Sequence, residues 1–312
     1  MSLKHKILNK ETGIILYGLT PPKEKNNTDR IAEISQKQVE RIKDLKIDGL
    51  VLYDIQDESD RIKEERPFPF LPTVDPAIYS KNYLDQLKIP KIIYRCVGKY
   101  NKDEFSKWLT SDIETDRFSV FVGAASKDQD VNLKLREAYQ LRKQLNPNLL
   151  LGGVTIPERH SQSEDEHLRV LSKIESGCKF FVSQAVYNLD YSKNFLSDYY
   201  HYCRENNLEM VPIIFTFTPC GSKKTLEFMK WLGINIAKWL ENDLLNSEDI
   251  LEQSLNSSKK NFKELLDYAL EKGIPIGCNI ESLSIRKAEI EASIELAEFV
   301  KETFEKKINN RR

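Results

Sequence analysis

The 312-residue sequence predicts an α/β protein, a single (β/α)8 TIM barrel over residues 1–312, and three observations carry that prediction. Eight short apolar runs recur along the chain. Charge-faced amphipathic stretches of helical length separate them. Neither the glycine-rich dinucleotide turn nor the P-loop signature of the common open sheets is present. The runs are nearly continuous in apolar character instead of alternating, as parallel strands covered on both faces require.

In chain order the strand runs are 13–19 (GIILYGL), 49–54 (GLVLYD), 91–97 (KIIYRCV), 118–124 (FSVFVGA), 149–155 (LLLGGVT), 179–186 (KFFVSQAV), 211–217 (VPIIFTF) and 274–280 (IPIGCNI). The helical stretches are 28–45, 76–87, 102–112, 131–145, 163–176, 190–206, 222–240, 247–272 and 284–306, so one strand gap holds two helices. Thr28, Ser163 and Ser222 stand where N-caps belong, and Gly177 and Gly273 stand just past helix ends, where positive φ is wanted. The longest irregular segment, 55–75, follows the second strand; its acidic, basic and Pro/Phe parts predict a flap over the barrel mouth.

Composition narrows the function classes. The sequence is 40% hydrophobic and 10% aromatic, enough to build a core. Its 47 Lys+Arg balance 48 Asp+Glu, so no global field draws in nucleic acid. Five scattered cysteines without a CxxC pair predict reduced thiols, and no metal-ligand spacing is evident. With no apolar run of membrane-spanning length and no secretory signal, a cytoplasmic protein is expected.

In such a barrel, chemistry collects at the carboxyl ends of the strands. The polar residues there are Tyr17 and Thr20; Tyr53 and Asp54; Tyr94 and Arg95; Thr155, Glu158, Arg159 and His160; Gln184 and Tyr187; Thr216 and Thr218; Asn279 and Glu281. Tyrosines and amides suit a flat heteroaromatic ligand such as a pterin or flavin, because rings stack while an amide or carboxylate reads ring N–H and C=O groups. Gln184, inside an apolar run, needs hydrogen-bond partners and is the foremost ligand contact. The turn IPERH at 156–160 is read either as an anion or acid/base site or as a rigid surface turn held by its own salt bridge. His5, His167 and His201 are expected to face solvent.

The stretch from GGVTIPERH through KFFVSQAVYNLD to VPIIFTFTP resembles the methylenetetrahydrofolate reductase family. Pro157, Glu158 and His160 match its Pro-Glu-x-His turn. Lys173 and Gly177 match its next helix end, Ser183 and Gln184 its Thr/Ser-Gln step, and Pro21 and Pro22 its double proline. The resemblance implies a barrel that binds FAD and a reduced folate (5-methyl- or 5,10-methylenetetrahydrofolate) and passes hydride from NAD(P)H through flavin. Its partners would be the small-molecule folate and a second copy of the chain or a one-carbon pathway enzyme. On this likeness Gln184 contacts the pterin, and Glu158, His160 and Lys173 are the flavin-side candidates; the strand-end residues Tyr187, Tyr17, Tyr53, Asp54, Arg95, Thr216 and Glu281 complete the folate-side candidates.

Two departures concern catalysis. Gly18 falls where the family carries a proton-donating Glu, and Gly123-Ala124-Ala125 replaces an Arg-Gly-Asp. Glu24, Asp54 and Glu281 are the candidates to supply the missing acid, a role commonly worth about 10²–10⁴-fold in rate. A divergent oxidoreductase, a non-catalytic folate-binding or methyl-transfer accessory protein, and an unrelated barrel enzyme all remain open from sequence.

Overall fold

In the computed structural model, which describes residues 1–59, 63–111, 117–124 and 129–309, eight parallel strands close into a barrel in sequence order, β1 pairing with β8. The strands are β1 (Ile14–Leu19), β2 (Gly49–Leu52), β3 (Lys91–Cys96), β4 (Phe118–Val122), β5 (Leu150–Thr155), β6 (Cys178–Ala185), β7 (Ile213–Phe217) and β8 (Ile276–Glu281). Each lies within two residues of its expected run at either end, because apolar continuity marks a doubly covered strand well.

The helices are α1 (Leu3–Leu8), α2 (Thr28–Ile42), α3 (Pro76–Tyr83), α4 (Lys102–Thr110), α5 (Leu135–Leu145), α6 (Pro157–Ser163), α7 (Glu166–Glu175), α8 (Leu189–Glu205), α9 (Lys223–Trp231), α10 (Lys238–Asn246), α11 (Ile250–Lys272) and α12 (Lys287–Asn309). Three expectations are corrected. The β7–β8 gap holds three helices, because Gly233 at φ 85° breaks the 222–240 stretch. IPERH is the start of helix α6, with Pro157 at its first turn, and is not a turn. Ser163 ends α6, and Asn27 rather than Thr28 caps α2 by accepting from Arg30 N–H at 2.9 Å. Ser222 does cap α9, accepting from Thr225 N–H, and Gly177 (φ 106°) and Gly273 (φ 68°) take the left-handed conformations expected of them.

Two apolar layers follow from strand pleat. Side chains at 14 and 16, 51, 92 and 94, 118 and 120, 150, 180 and 182, and 214 point into the barrel and pack together, while their neighbours face the helices. Leu3 and Ile7 of α1, a helix absent from the sequence reading, join the interior layer and plug its amino end. Lys6 fixes that plug by donating to Asp48 at 2.8 Å and to the Gly13 carbonyl at 3.0 Å. Among the described residues, none plugs the carboxyl end in this way. All five cysteines are free and buried, and among the described residues no helix is long and apolar enough to cross a membrane.

Candidate ligand-binding site

A cavity of about 1450 Å³ opens at the carboxyl ends of the strands. The inward parity that fills the barrel below continues upward into its floor and walls, with Gly18, Tyr53, Tyr94, Val122, Val154, Gln184, Thr216 and Glu281. Basic side chains from α2 (Arg30, Arg41), α5 (Arg136), α6 (Arg159) and α7 (Arg169, Lys173) border it. In a chain of formal net charge −1, this concentration of cations favours an anionic ligand.

The floor is a connected polar group. Tyr53 meets Tyr94 edge-on with centroids 4.9 Å apart. Asn279 donates to the Tyr53 hydroxyl at 2.8 Å and to Thr216 Oγ1 at 3.1 Å. Thr216 Oγ1 in turn donates to the Ser183 carbonyl at 2.7 Å. Glu281 stands next to Gly18 in the ladder, and burial pushes its carboxyl up to about 7, a hydrogen bond from Tyr53 opposing the shift. A Cβ on Gly18 would come within 2.8 Å of the Tyr53 ring and 3.2 Å of Glu281 Cβ. The space that a side chain at position 18 would need is therefore taken by Tyr53 and Glu281.

On the opposite wall, Gln184 donates from its amide to the Leu232 carbonyl at 2.7 Å, just past α9, which fixes the amide plane. Lys173 reaches over the end of β5 to donate to the Val154 carbonyl at 2.6 Å, and burial draws its pKa below the ordinary lysine value.

The described residues of 55–75 touch both the β1–α2 loop and α9. The segment bonds to the β1–α2 loop, with Val74 N–H donating to Pro22 O at 2.9 Å and Glu24 N–H to Pro72 O at 3.0 Å. At its far side Arg66 lies over the rings of Phe228 (5.0 Å) and Trp231 (5.2 Å). Residues 60–62 of this segment, like Ala125 of the departed Arg-Gly-Asp position, fall outside the described residues.

Several candidates do not reach the cavity interior. Glu24 is exposed beyond it. Arg95 turns outward, pairing with Asp75, donating to Tyr100 Oη at 2.8 Å and lying 4.5 Å over the Trp108 ring. Tyr187 is sealed beneath α11, its hydroxyl donating to Thr218 O at 2.7 Å and sharing a hydrogen bond with Ser254 at 2.9 Å. Tyr17 and Asp54 border the cavity but spend their polar atoms outward. Tyr17 Oη meets Ser293 Oγ at 2.7 Å, and Asp54 accepts from Cys96 N–H (2.8 Å), Lys99 Nζ (2.5 Å) and Tyr100 Oη (2.9 Å).

Of the three flavin-side candidates only Lys173 lines the cavity. Glu158 is turned into the protein, with Oε2 lacking a hydrogen-bond partner and burial pushing the carboxyl up to about 7. His160 faces α8, with Nε2 3.0 Å from Asp198 Oδ2. The expected salt bridge within 156–160 is absent among the described residues, and His167, expected at the surface, is buried.

Sequence reasoning missed the basic rim on the helices. Arg169 lies one turn before Lys173, and Arg30, Ile34, Gln38 and Arg41 form a stripe on one face of α2, a spacing legible once the helix's inner face is known.

Fold and cavity define the class: a (β/α)8 barrel with a small-molecule-sized site at its carboxyl-terminal face. Within that class the chain belongs to the methylenetetrahydrofolate reductase family. Residues 127–276 match the family's model. An uncharacterized protein from Clostridium thermocellum that binds two copies of 5-methyl-5,6,7,8-tetrahydrofolic acid is 62% identical, covering 96% of this chain and 99% of its own, with a TM-score of 0.88. A putative deoxyribose-phosphate aldolase from Toxoplasma gondii ME49 is 10% identical over 97% of this chain and 96% of its own, at a TM-score of 0.43. A 2,3-dimethylmalate lyase is 12% identical over 95% and 93%, at 0.42. These last two carry no argument about activity. No curated protein matches the chain.

Proposed function

We propose that this protein binds a reduced folate, 5-methyl- or 5,10-methylenetetrahydrofolate, in the cavity at the carboxyl end of the barrel. The observation that carries the reading is the 62% identity to a protein that binds 5-methyltetrahydrofolate, joined to a cavity whose floor and rim suit that molecule. Gln184, held by Leu232, leaves its amide carbonyl to accept a pterin ring N–H, and the protonatable Glu281 carboxyl and Tyr53 hydroxyl meet the ring's other polar atoms. Tyr94 supplies ring contact, and the basic rim takes the glutamate carboxylates. Ligand pockets commonly run to about 300–1,000 Å³. A cavity of about 1450 Å³ leaves room for more than one folate, so two equivalents per chain is the expected stoichiometry.

FAD is a poor match to the residues present, since Glu158 and His160 turn into the helical layer and only Lys173 remains at the cavity. The protein acts instead as a folate-binding component of one-carbon metabolism. One observation favours a second reading, flavin-dependent oxidoreduction with NAD(P)H as the hydride source: burial pushes the carboxyl of Glu281, beside Gly18, up to about 7. Reconstitution with FAD, read as retained yellow colour after desalting, separates the two.

The deciding experiment is calorimetric titration with 5-methyltetrahydrofolate, repeated on Gln184→Ala. Saturable binding, weakened about tenfold or more by the substitution (about 1.4 kcal/mol), is expected. No binding to the unaltered protein overturns the reading.

A further inference from the structure

Outside the cavity, on the outer wall of the barrel, α6, α7 and α8 bring two imidazoles and a carboxylate together. One donor atom from each of His160, His167 and Asp198 lies within 4.8 Å of the other two. His160 Nε2 is 3.0 Å from Asp198 Oδ2, and the two rings meet edge to face with centroids 5.5 Å apart. Both rings keep a buried Nδ1 without a hydrogen-bond partner, a condition that folded proteins generally avoid. His160 has no part in the folate cavity, so its burial here needs another account.

We propose that His160, His167 and Asp198 form a binding site for a divalent transition-metal ion of the zinc class, which clips α6 and α7 to α8. Two imidazole nitrogens and one carboxylate oxygen suit zinc and its neighbours better than magnesium or calcium, which prefer all-oxygen shells. Three protein ligands leave a fourth, tetrahedral position for water, and the Asp198 side chain, 51% exposed, opens the site to solvent.

Metal–ligand bonds of about 2.0–2.2 Å set tetrahedral donors roughly 3.3 Å apart. The His160–Asp198 pair already meets that spacing. The three donor atoms already lie within 4.8 Å of one another, and the exposed Asp198 side chain has room to turn toward an ion between them. The Phe195 and Tyr202 rings of α8 flank the two imidazoles, Phe195 beside His160 and Tyr202 beside His167.

The test uses the purified full-length protein, stripped with a chelator and titrated with zinc chloride by calorimetry, with cobalt(II) as a coloured substitute. The expected result is one zinc equivalent per chain, a raised Tm, and the visible absorption of four-coordinate cobalt. Asp198→Asn and His167→Ala are each expected to weaken zinc binding by about 100-fold or more while leaving the circular dichroism spectrum and folate titration unchanged. Absence of saturable zinc binding, or equal binding by wild type and both variants, overturns the proposal.

Discussion

Two sets of polar residues end the same strands, and they differ by one step of parity. Gly18, Tyr53 and Tyr94 face the cavity, whereas their chain neighbours Tyr17, Asp54 and Arg95 send their polar atoms into the layer between barrel and helices, where Ser293, Lys99 and Asp75 receive them. In the second half of the barrel Gln184, Thr216 and Glu281 fall on the inner parity. Because successive strand side chains alternate faces, residue type at a strand end says little about function until the parity is known. On the function proposed above, the outer set serves stability and the inner set the ligand, and this division is open to direct attack.

The largest expected effect lies in the outer set. Arg95→Met removes a guanidinium whose side chain is 4% exposed, leaving Asp75 without its ion-pair partner and Trp108 with Arg117 but without the nearer of its two stacked cations. Burial pushes the Asp75 carboxyl up, but Arg95, helped by hydrogen bonds from Ile78 and Ala77 N–H, holds it below the usual carboxylate range. Breaking a buried pair in this way costs about 4 kcal/mol. Chemical denaturation should register that loss while the folate affinity of the folded fraction stays unchanged; a selective loss of folate affinity at full stability would place Arg95 functionally with the inner set.

The fold was legible because eight apolar runs separated by amphipathic stretches allow few alternatives, and the family motifs at 156–160 and 183–184 reinforced that reading. The site was legible in part. Gln184, Tyr53, Thr216, Lys173 and Glu281 all line the cavity. Arg95 and Tyr187 were misplaced because their distance to the strand end was counted but their parity was not. His160 was drawn toward the cavity by its motif, although as the fourth residue of α6 it points to α8. The plug formed by α1 is not legible in the sequence because a six-residue helix buries only two apolar positions, Leu3 and Ile7, too few to show a period.

Glu281 sharpens the comparison from the inner side. Its carboxyl titrates at about 7 when folded, against an ordinary value of 4.5. The folded state therefore binds more protons than the unfolded chain between these values, and stability falls as pH rises through that window. The cost is complete above pH 7 and amounts to about 3 kcal/mol. Glu281→Gln, which cannot ionise, is expected to gain roughly that much at pH 8 and almost nothing at pH 4, flattening the dependence of Tm on pH. Glu158, also raised to about 7, retains its own contribution, so the variant's profile flattens without becoming level. An unchanged slope would remove Glu281 from the buried, proton-holding group at the floor.

The smallest effect distinguishes neighbours at the carboxyl end of β6. Tyr187 and Gln184 are three residues apart, yet Gln184 faces the cavity while the Tyr187 hydroxyl donates to Thr218 O and shares a hydrogen bond with Ser254, whose Oγ also accepts from Cys220 N–H at 2.8 Å. Tyr187→Phe keeps the ring in its apolar cluster and deletes only the hydroxyl, leaving Thr218 O and Ser254 with one fewer partner each. The expected loss is about 1 kcal/mol of stability with folate affinity intact. Gln184→Ala should do the reverse, weakening folate while barely moving Tm, since the half-buried amide contributes one hydrogen bond to Leu232. If Tyr187→Phe weakened folate binding as much as Gln184→Ala, the ligand would have to sense the helix-side layer, and inner parity would no longer define the site.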